Sequence, residues 1–571
     1  MVPPGQTFEH LAALAAIRGD AVDAARFSSA LDLVRSHHLT SEADLTTFLN
    51  QPPSGADAES LRTMRLTAVA GGWVLVELGI AQLPTDLRWL FESGAVTLNQ
   101  LAALHGALGV MTAADLIAEV RRHTIANVPG LDSTVEAAVA AALPALRARV
   151  PRIPLGLAVA IAEPIVDRLR SVPGVKWAEP VGSLRRGQDL VGDLEIVAST
   201  ADPATALAEM DALPDIESTG HRGSRRIYFV IDRVQVGVRC PDPTAAGAAL
   251  LQLTGSPSHV ERLHGLAEHR RLSFEPDGLR SIDHGRLVAS TEEEIYRALE
   301  LPFIPPELRN GEDELDLARR NQLPSLVTAS DIRGDLHMHS YWSDGRDSIE
   351  AMVQGCIALG YDYLALTDHS PRSAASRNLS VDDVARQADE IAALRERYPQ
   401  IDILHGCEVD ILPDGRLDFT DRVLRGFDIV LASLHDHAGH SPEELMRRYL
   451  GAMLHPLVSI LTHPMNRMVP HRRGYDLNFD RLCEAAVRTR TVLEIDGAPS
   501  HLDLEAPLAR RAIEAGVTVA IDSDAHRAAM LERHMKLGLL TARRGRVEPR
   551  HVLNARSLPE VRALIAAKRR G

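Results

Sequence analysis

A multidomain chain is predicted: helices first, an α+β middle, and a C-terminal α/β region of seven βα units forming a parallel barrel. Three observations predict it. The 571 residues exceed what one ordinary core supports. Helical apolar repeats fill roughly the first 150 residues and then give way to short β-like runs. From Arg333 onward, apolar strand-like runs alternate with helical stretches, and metal-capable side chains recur where the runs end.

Composition narrows the class. Acidic residues outnumber basic ones, 77 to 62, for a formal charge of −15. That argues against a non-specific polyanion coat and leaves a local basic groove open. Cys240, Cys356, Cys407 and Cys483 are scattered without a C-x-x-C spacing and read as reduced, buried thiols of a cytosolic protein. Glu9 and His10 stand where a signal peptide would need basic and then apolar residues. The most apolar run, Leu66 to Leu83, is interrupted by Gly71-Gly72 and Glu77. No membrane span or membrane partner is expected, and the expected location is the cytoplasm.

Residues 1–72 read as a helical N-terminal domain, with repeats such as Leu11-Ala12-Ala13-Leu14 and a break at Gln51-Pro52-Pro53-Ser54-Gly55. Residues 73–150 carry Asn127-Val128-Pro129-Gly130-Leu131 ahead of an Ala-rich helix. That stretch is similar to a helix-hairpin-helix turn, which offers backbone N–H groups to a DNA phosphate. An ordinary helix–helix connection remains open, since the second glycine and the lysine of such turns are missing.

Residues 151–240 hold β-like runs at Leu194–Ala198, Arg226–Ile231 and Val234–Arg239. A turn with Gly182, Ser183, Arg185 and Arg186 precedes Asp193 and Glu195, two carboxylates at i and i+2 on a strand. Glycine lets the backbone approach a phosphate, and Arg186 supplies charge-assisted hydrogen bonds. The acidic pair would face one way to hold Mg²⁺ or Mn²⁺. An exposed acidic strand beside a basic turn is the alternative.

The C-terminal region, 331–571, opens on Asp335-Leu-His-Met-His-Ser-Tyr-Trp-Ser-Asp344. His337 and His339 at i and i+2 on a strand point to one face, and the following loop carries Asp344 back over the strand end. The strands read Gly334–Ser340, Tyr361–His369, Ile401–Ile411, Phe427–Leu434, Val458–His463, Thr491–Asp496 and Val517–Asp522. Near their C-terminal ends stand His337, His339, Asp344, His369, Glu408, His435, His463, Asp524 and His526. A random scatter of 24 histidines would not collect on one rim of a barrel. Imidazoles with carboxylates suit zinc, manganese or iron. Asp368 and Asp522 read as partners that orient ligand imidazoles. His455, His471 and His501 read as core or surface histidines.

The middle segment resembles the palm of family X DNA polymerases, and the pattern continues in Leu253-Thr254-Gly255-Ser256 and His259. The linker Leu301-Pro302-Phe303-Ile304-Pro305-Pro306-Glu307-Leu308-Arg309 resembles that of bacterial family X polymerases with a C-terminal PHP (polymerase and histidinol phosphatase) domain. The resemblance implies a palm at 151–240, a thumb at 241–310, a linker at 311–330 and a PHP domain at 331–571. Of the three carboxylates that such a palm uses, Asp193 matches the first and Glu195 takes the second position. Gly237 stands where the third would lie. Gln252-Leu253 replaces a Tyr-Phe pair, Val260 replaces an Asn, and His264 takes the slot of an Arg.

His-Met-His-Ser, Thr-Asp-His-Ser, Gly-Cys-Glu-Val-Asp, Ser-Leu-His, Thr-His-Pro and Asp-Ser-Asp-Ala-His closely resemble the PHP motifs. By that resemblance, the domain is a distorted (β/α)₇ barrel with a site for three divalent ions, Mn²⁺, Zn²⁺ or Fe²⁺. One ion would use His337, His339, Glu408 and Asp524, with Glu408 bridging to a second held by His435 and His463. A third would use Asp344, His369 and His526. Glu408, Asp524 and Arg467 would then be the catalytic residues. Arg467 and Arg372 are candidates to clamp a phosphate, with a solvated surface position equally open.

The expected function is a metal-dependent phosphoesterase acting on DNA: a 3′→5′ exonuclease, with 3′-phosphatase or abasic-site activity as variants, in repair. The polymerase-like half, with Gly182, Ser183, Arg186, Asp193 and Glu195 as a degenerate phosphate site, would bind gapped, nicked or 3′-ended DNA and extend it little or not at all. Three alternatives stand beside this: an active polymerase/3′→5′ exonuclease, a small-molecule phosphatase of histidinol-phosphate type, and a non-catalytic DNA-binding scaffold, which would need a broken metal site. Oligomeric state is not readable from the sequence.

Overall fold

The computed structural model describes residues 2–149, 152–275, 278–281, 285–287, 289–373, 375, 377–435 and 440–570. It divides into two compact units, Met1–Pro151 with Asp202–Arg239, and Arg152–Ala201 with Cys240–Gly571. The expected palm segment therefore contributes to both.

The first unit is mainly helical, and its helix starts are written in the sequence. Ser41, Thr97 and Thr112 each form a capping box, and Asp20 and Asp57 accept the third backbone N–H of the helices that they precede. Leu87, Leu101, Leu104, Leu116 and Val139 share one buried core. Helices Ala113–Arg121 and Ser133–Arg149 flank the Val128–Leu131 turn, where Gly130 takes a φ of 85°. Asp132 occupies the second helix's start, its carboxylate accepting from Val135 N at 3.0 Å. Strands Arg226–Ile231 and Val234–Arg239 form a hairpin that matches the expected runs. Its two-residue turn, Asp232-Arg233, takes positive φ at both positions, as a twist-compatible hairpin requires. Gly237 pairs with Tyr228 in this hairpin. Among the described residues no single helix is long and apolar enough to cross a membrane; the pair Ala58–Val69 and Gly72–Ala81 passes only jointly, bent by 81°.

The second unit carries three substructures. Strands Val175–Pro180 and Leu194–Thr200 pair antiparallel, and helix Leu155–Ser171 packs on them. Helices Ala246–Thr254, Pro257–His269 and Glu292–Ala298 surround a core of Leu251, Leu263, Phe274, Ile295 and Tyr296. Arg309 is fully buried there and pairs with Glu292, which also takes both guanidinium nitrogens of Arg185 at 2.9 Å. His259 bridges Glu314, at 2.7 Å, and the Tyr296 hydroxyl, at 2.9 Å.

The third substructure is the barrel. Seven parallel strands run in sequence order: β1 (Gly334–Asp335), β2 (Tyr363–Leu366), β3 (Asp402–Asp410), β4 (Ile429–Ser433), β5 (Ile460–Leu461), β6 (Val492–Asp496) and β7 (Val519–Asp522). A parallel bridge between Met338 and Ala525 joins the last strand's extension to the first. Alternation along the strands sorts the side chains. Tyr363, Ala365, Leu404, Leu431, Ile460, Val492 and Ala520 pack together inside, closed below by Leu558, Val561 and Ile565. The opposite parity, such as Cys407, Val409, Val430, Leu493 and Ile521, packs on the surrounding helices. Continuing the inward parity upward gives Glu408, Glu494, Asp496, Asp522 and Asp524, so the barrel is apolar at one end and acidic at the other.

Most regular strands are shorter than the sequence reading expects, and β1 shows why. Side-chain oxygens replace ladder carbonyls: Leu336 N donates to Asp522 Oδ1 at 2.8 Å, Met338 N to Thr367 Oγ1 at 3.0 Å, and Ser340 N to Asp368 Oδ1 at 2.8 Å. The chain stays extended while its partners change from backbone to carboxylate. These substitutions distort the barrel and fix the histidine-bearing segment.

Candidate metal centre

The i, i+2 histidines converge. His337 and His339 are fully buried, with their Nε2 atoms 3.2 Å apart. Gly345 lets the next loop close over them, since a Cβ there would stand 2.6 Å from the His339 carbonyl carbon and oxygen. That loop brings Asp344 Oδ1 to 3.5 Å from His369 Nε2 and 3.2 Å from His526 Nε2.

Glu408 sits at the centre. Its Oε2 lies 3.5 Å from His337 Nε2, 3.6 Å from His339 Nε2 and 2.8 Å from His369 Nδ1. Its Oε1 lies 3.3 Å from His435 Nε2 and 2.9 Å from His463 Nε2. Asp524 Oδ1 approaches His339 at 3.0 Å and His337 at 3.6 Å. Three overlapping clusters have ligand atoms within 4.8 Å of one another: His339, Asp344, His369, His526; His337, His339, Asp524; and His369, Glu408, His435. All nine residues singled out from the sequence are thus gathered on one rim.

The donor set fits divalent cations on a specific observation. Glu408 Oε2 is buried and faces three imidazole nitrogens at 2.8 to 3.6 Å, yet none of them meets it with hydrogen-bond geometry. Leaving a charged oxygen so costs about 1–3 kcal/mol or more unless a cation satisfies it. Charges across the site are strongly coupled. Burial opposes ionisation of Glu408, but His369, His435 and His337 overcome it and hold its carboxyl well below the usual range. Burial, reinforced by the charges of His369 and His526, pulls His339 down to about 3, which leaves its imidazole neutral as a ligand must be. Burial also opposes charging of His526, but the hydrogen bond that it donates to Asp344 and the charge of Asp524 raise it to about 9.

A ring of supporting groups orients the ligands. Glu494 accepts from His337 Nδ1 at 2.7 Å and His463 N at 2.8 Å, and also from the Thr462 hydroxyl. Asp410 accepts from His435 Nδ1 at 2.9 Å. Asp368 takes hydroxyl and backbone donors from Ser340 and Ser343 and the amide of Gln387, so it braces the His339 segment. Asp522 also holds Leu336 N, and burial with the nearby Asp335 and Glu494 charges pushes its carboxyl well above the ordinary carboxylate range. Glu494 and Asp410 were not singled out from the sequence. Strand alternation could have found Glu494, which shares parity with Val492 and Asp496.

The arginines lie differently. Arg467 donates to Asp189 at 2.8 Å and Glu505 at 3.0 Å, so two carboxylates occupy the guanidinium expected to clamp a phosphate. Arg544 also pairs with Asp189 and donates to Gly187 O at 3.0 Å, tying the turn after Arg186 to the barrel. Arg372 is 71% exposed, with Asp418 at 3.9 Å. Among the residues expected to form a phosphate site, Gly182 has a φ of 64° and opens helix Gly182–Arg185. Arg186 donates to the Thr254 carbonyl, and Ser183 Oγ lies 3.4 Å from Gly192 N. Asp193 precedes strand Leu194–Thr200, and Glu195 is buried within it.

A seven-stranded parallel barrel with this histidine–carboxylate rim defines the PHP class of metal-binding domain. Residues 335–495 match the PHP domain family, and residues 249–310 match the DNA polymerase beta thumb. The DNA polymerase/3′-5′ exonuclease PolX of Bacillus subtilis (strain 168) is 34% identical over 488 residues, 85% of this chain and 85% of that protein. Probable phosphatase TTE1963 of Caldanaerobacter subterraneus subsp. tengcongensis is 29% identical over 203 residues, 34% of this chain and 75% of that protein. A Leishmania infantum polymerase beta ternary P/T complex aligns at 16% identity and a TM-score of 0.27, covering 40% of this chain and 99% of that one, and adds nothing to the assignment. The chain belongs to the PolX family, in which a family X polymerase region is joined to a C-terminal PHP domain.

Proposed function

We propose that the chain is a metal-dependent phosphodiesterase that shortens DNA from 3′ ends in repair, with reduced or no capacity to extend them. The carrying observation is the complete rim, eight ligand-type side chains around a buried Glu408 whose Oε2 no donor meets with hydrogen-bond geometry. His337, His339, Glu408 and Asp524 would hold one divalent ion, Glu408, His435 and His463 a second, and Asp344, His369 and His526 a third. Mn²⁺, Zn²⁺ and Fe²⁺ all suit that mixture of nitrogen and oxygen. Divalent ions bound there supply Lewis acidity toward phosphate oxygens and acidify water. The protein's share is positioning: Glu494, Asp410 and Asp368 fix imidazoles and backbone so that the ligands need not reorganise.

On the polymerase side, Gly237 offers no third carboxylate beside Asp193 and Glu195, and in-line transfer depends on metals clamping both oxygens. The role left to that half is DNA binding through the thumb region, and Mg²⁺ or Mn²⁺ at Asp193 and Glu195 would serve binding more than chemistry. A second reading, an active polymerase/3′→5′ exonuclease, is favoured by the name of the Bacillus subtilis relative. The test is a Mn²⁺-loaded digestion of 5′-labelled single-stranded DNA alongside p-nitrophenyl phosphate. Stepwise release of nucleotides from the 3′ end supports the proposal. Turnover of the small ester alone would make the protein a small-molecule phosphatase instead.

A further inference from the structure

We propose that the rim has a further divalent-cation position, formed by Asp496, His501 and Asp524, outside the nine-residue ligand set. Asp496 ends β6 and pairs in register with Asp522 of β7, which places Asp524 beside it. The loop after β6 folds back through His501 N and Leu502 N, both donating to Ala498 O. This lays the His501 ring against His463, with centroids 5.4 Å apart. One ligand atom from each of Asp496, His501 and Asp524 then lies within 4.8 Å of the other two.

The second observation is what these groups lack. Asp496 is fully buried; its Oδ1 accepts from Ala498 N at 2.6 Å, but its Oδ2 has no partner. His501 Nδ1 is likewise buried and unpartnered. Buried polar atoms are normally satisfied, and two residues of one cluster that each leave such an atom unpartnered call for a cation. One imidazole and two carboxylates suit a borderline divalent ion such as Mn²⁺ or Zn²⁺. Asp524 would be shared, joining this position to the ions of the main cluster. The reading of His501 as an ordinary core or surface histidine is thereby revised.

The proposal rests on the metal reading of the rim, and the test separates the two. Full-length protein is reconstituted with Mn²⁺, desalted, and its metal counted by plasma mass spectrometry, with circular dichroism as a fold check. The variants are His501→Gln, Asp496→Asn and, as a comparison within the main cluster, Asp344→Asn. Expected is one fewer Mn²⁺ per chain in His501→Gln and in Asp496→Asn, with the remaining ions and the fold retained. An unchanged count in both, beside a loaded wild type, overturns this position alone. Loss of every ion from both folded variants also overturns it, because the position would not be separable. A wild type that retains no metal overturns the metal reading beneath it.

Discussion

The barrel rim and the polymerase-like turn are both built from carboxylates near strand ends, yet they are equipped very differently. The rim has every ligand position filled and a surrounding layer, Glu494, Asp410 and Asp368, that fixes ring tautomers and backbone. The turn keeps Gly182, Ser183 and Asp193, but glycine stands at 237 and the nearby arginines are spent on protein partners: Arg185 on Glu292, Arg186 on Thr254.

The largest expected effect breaks the rim. His339→Ala or Asp524→Ala should lower DNA hydrolysis by about 10³-fold or more, several kcal/mol of lost metal assistance, while DNA binding by gel shift stays within a few-fold. Next comes the supporting layer. Glu494→Gln leaves every ligand in place but removes the carboxylate on His337 Nδ1, and should weaken Mn²⁺ affinity by roughly 10–100-fold in calorimetric titration.

Protons compete with the metal in a direction that the site fixes. With His526 raised to about 9, its imidazole is protonated below that pH, and an incoming ion must displace the proton. Mn²⁺ affinity should therefore fall as pH falls from 9, about tenfold per unit for each proton released. Titrations in buffers of different ionisation enthalpy count those protons; affinity that rises toward acid pH would refute the assignment. The smallest effect belongs to the polymerase side, where Asp193→Ala should change hydrolysis by less than about two-fold, since hydrolysis needs no metal there.

Much of this was legible in the sequence because the ligands obey strand parity. His337 and His339 announce a shared face, and the other ligands fall where apolar runs stop. The strands' lengths were not legible, since Asp522, Thr367 and Asp368 replace backbone carbonyls and a propensity pattern cannot show that exchange. Nor was the fate of Arg467. A cation four residues past His463 looks like a phosphate clamp until Asp189, far away in sequence, is found on its guanidinium. The proposed part of His501 is hidden from the sequence for a similar reason, since its neighbours come from two strand ends and a folded-back loop.

The most direct test of the account uses a 5′-labelled primer annealed to a longer template, with Mn²⁺, with and without dNTPs, in wild type and His339→Ala. The account predicts stepwise primer shortening that dNTPs leave unchanged and that His339→Ala abolishes. Primer extension with dNTPs, lost in Asp193→Ala, would contradict it and make the chain a working polymerase despite Gly237.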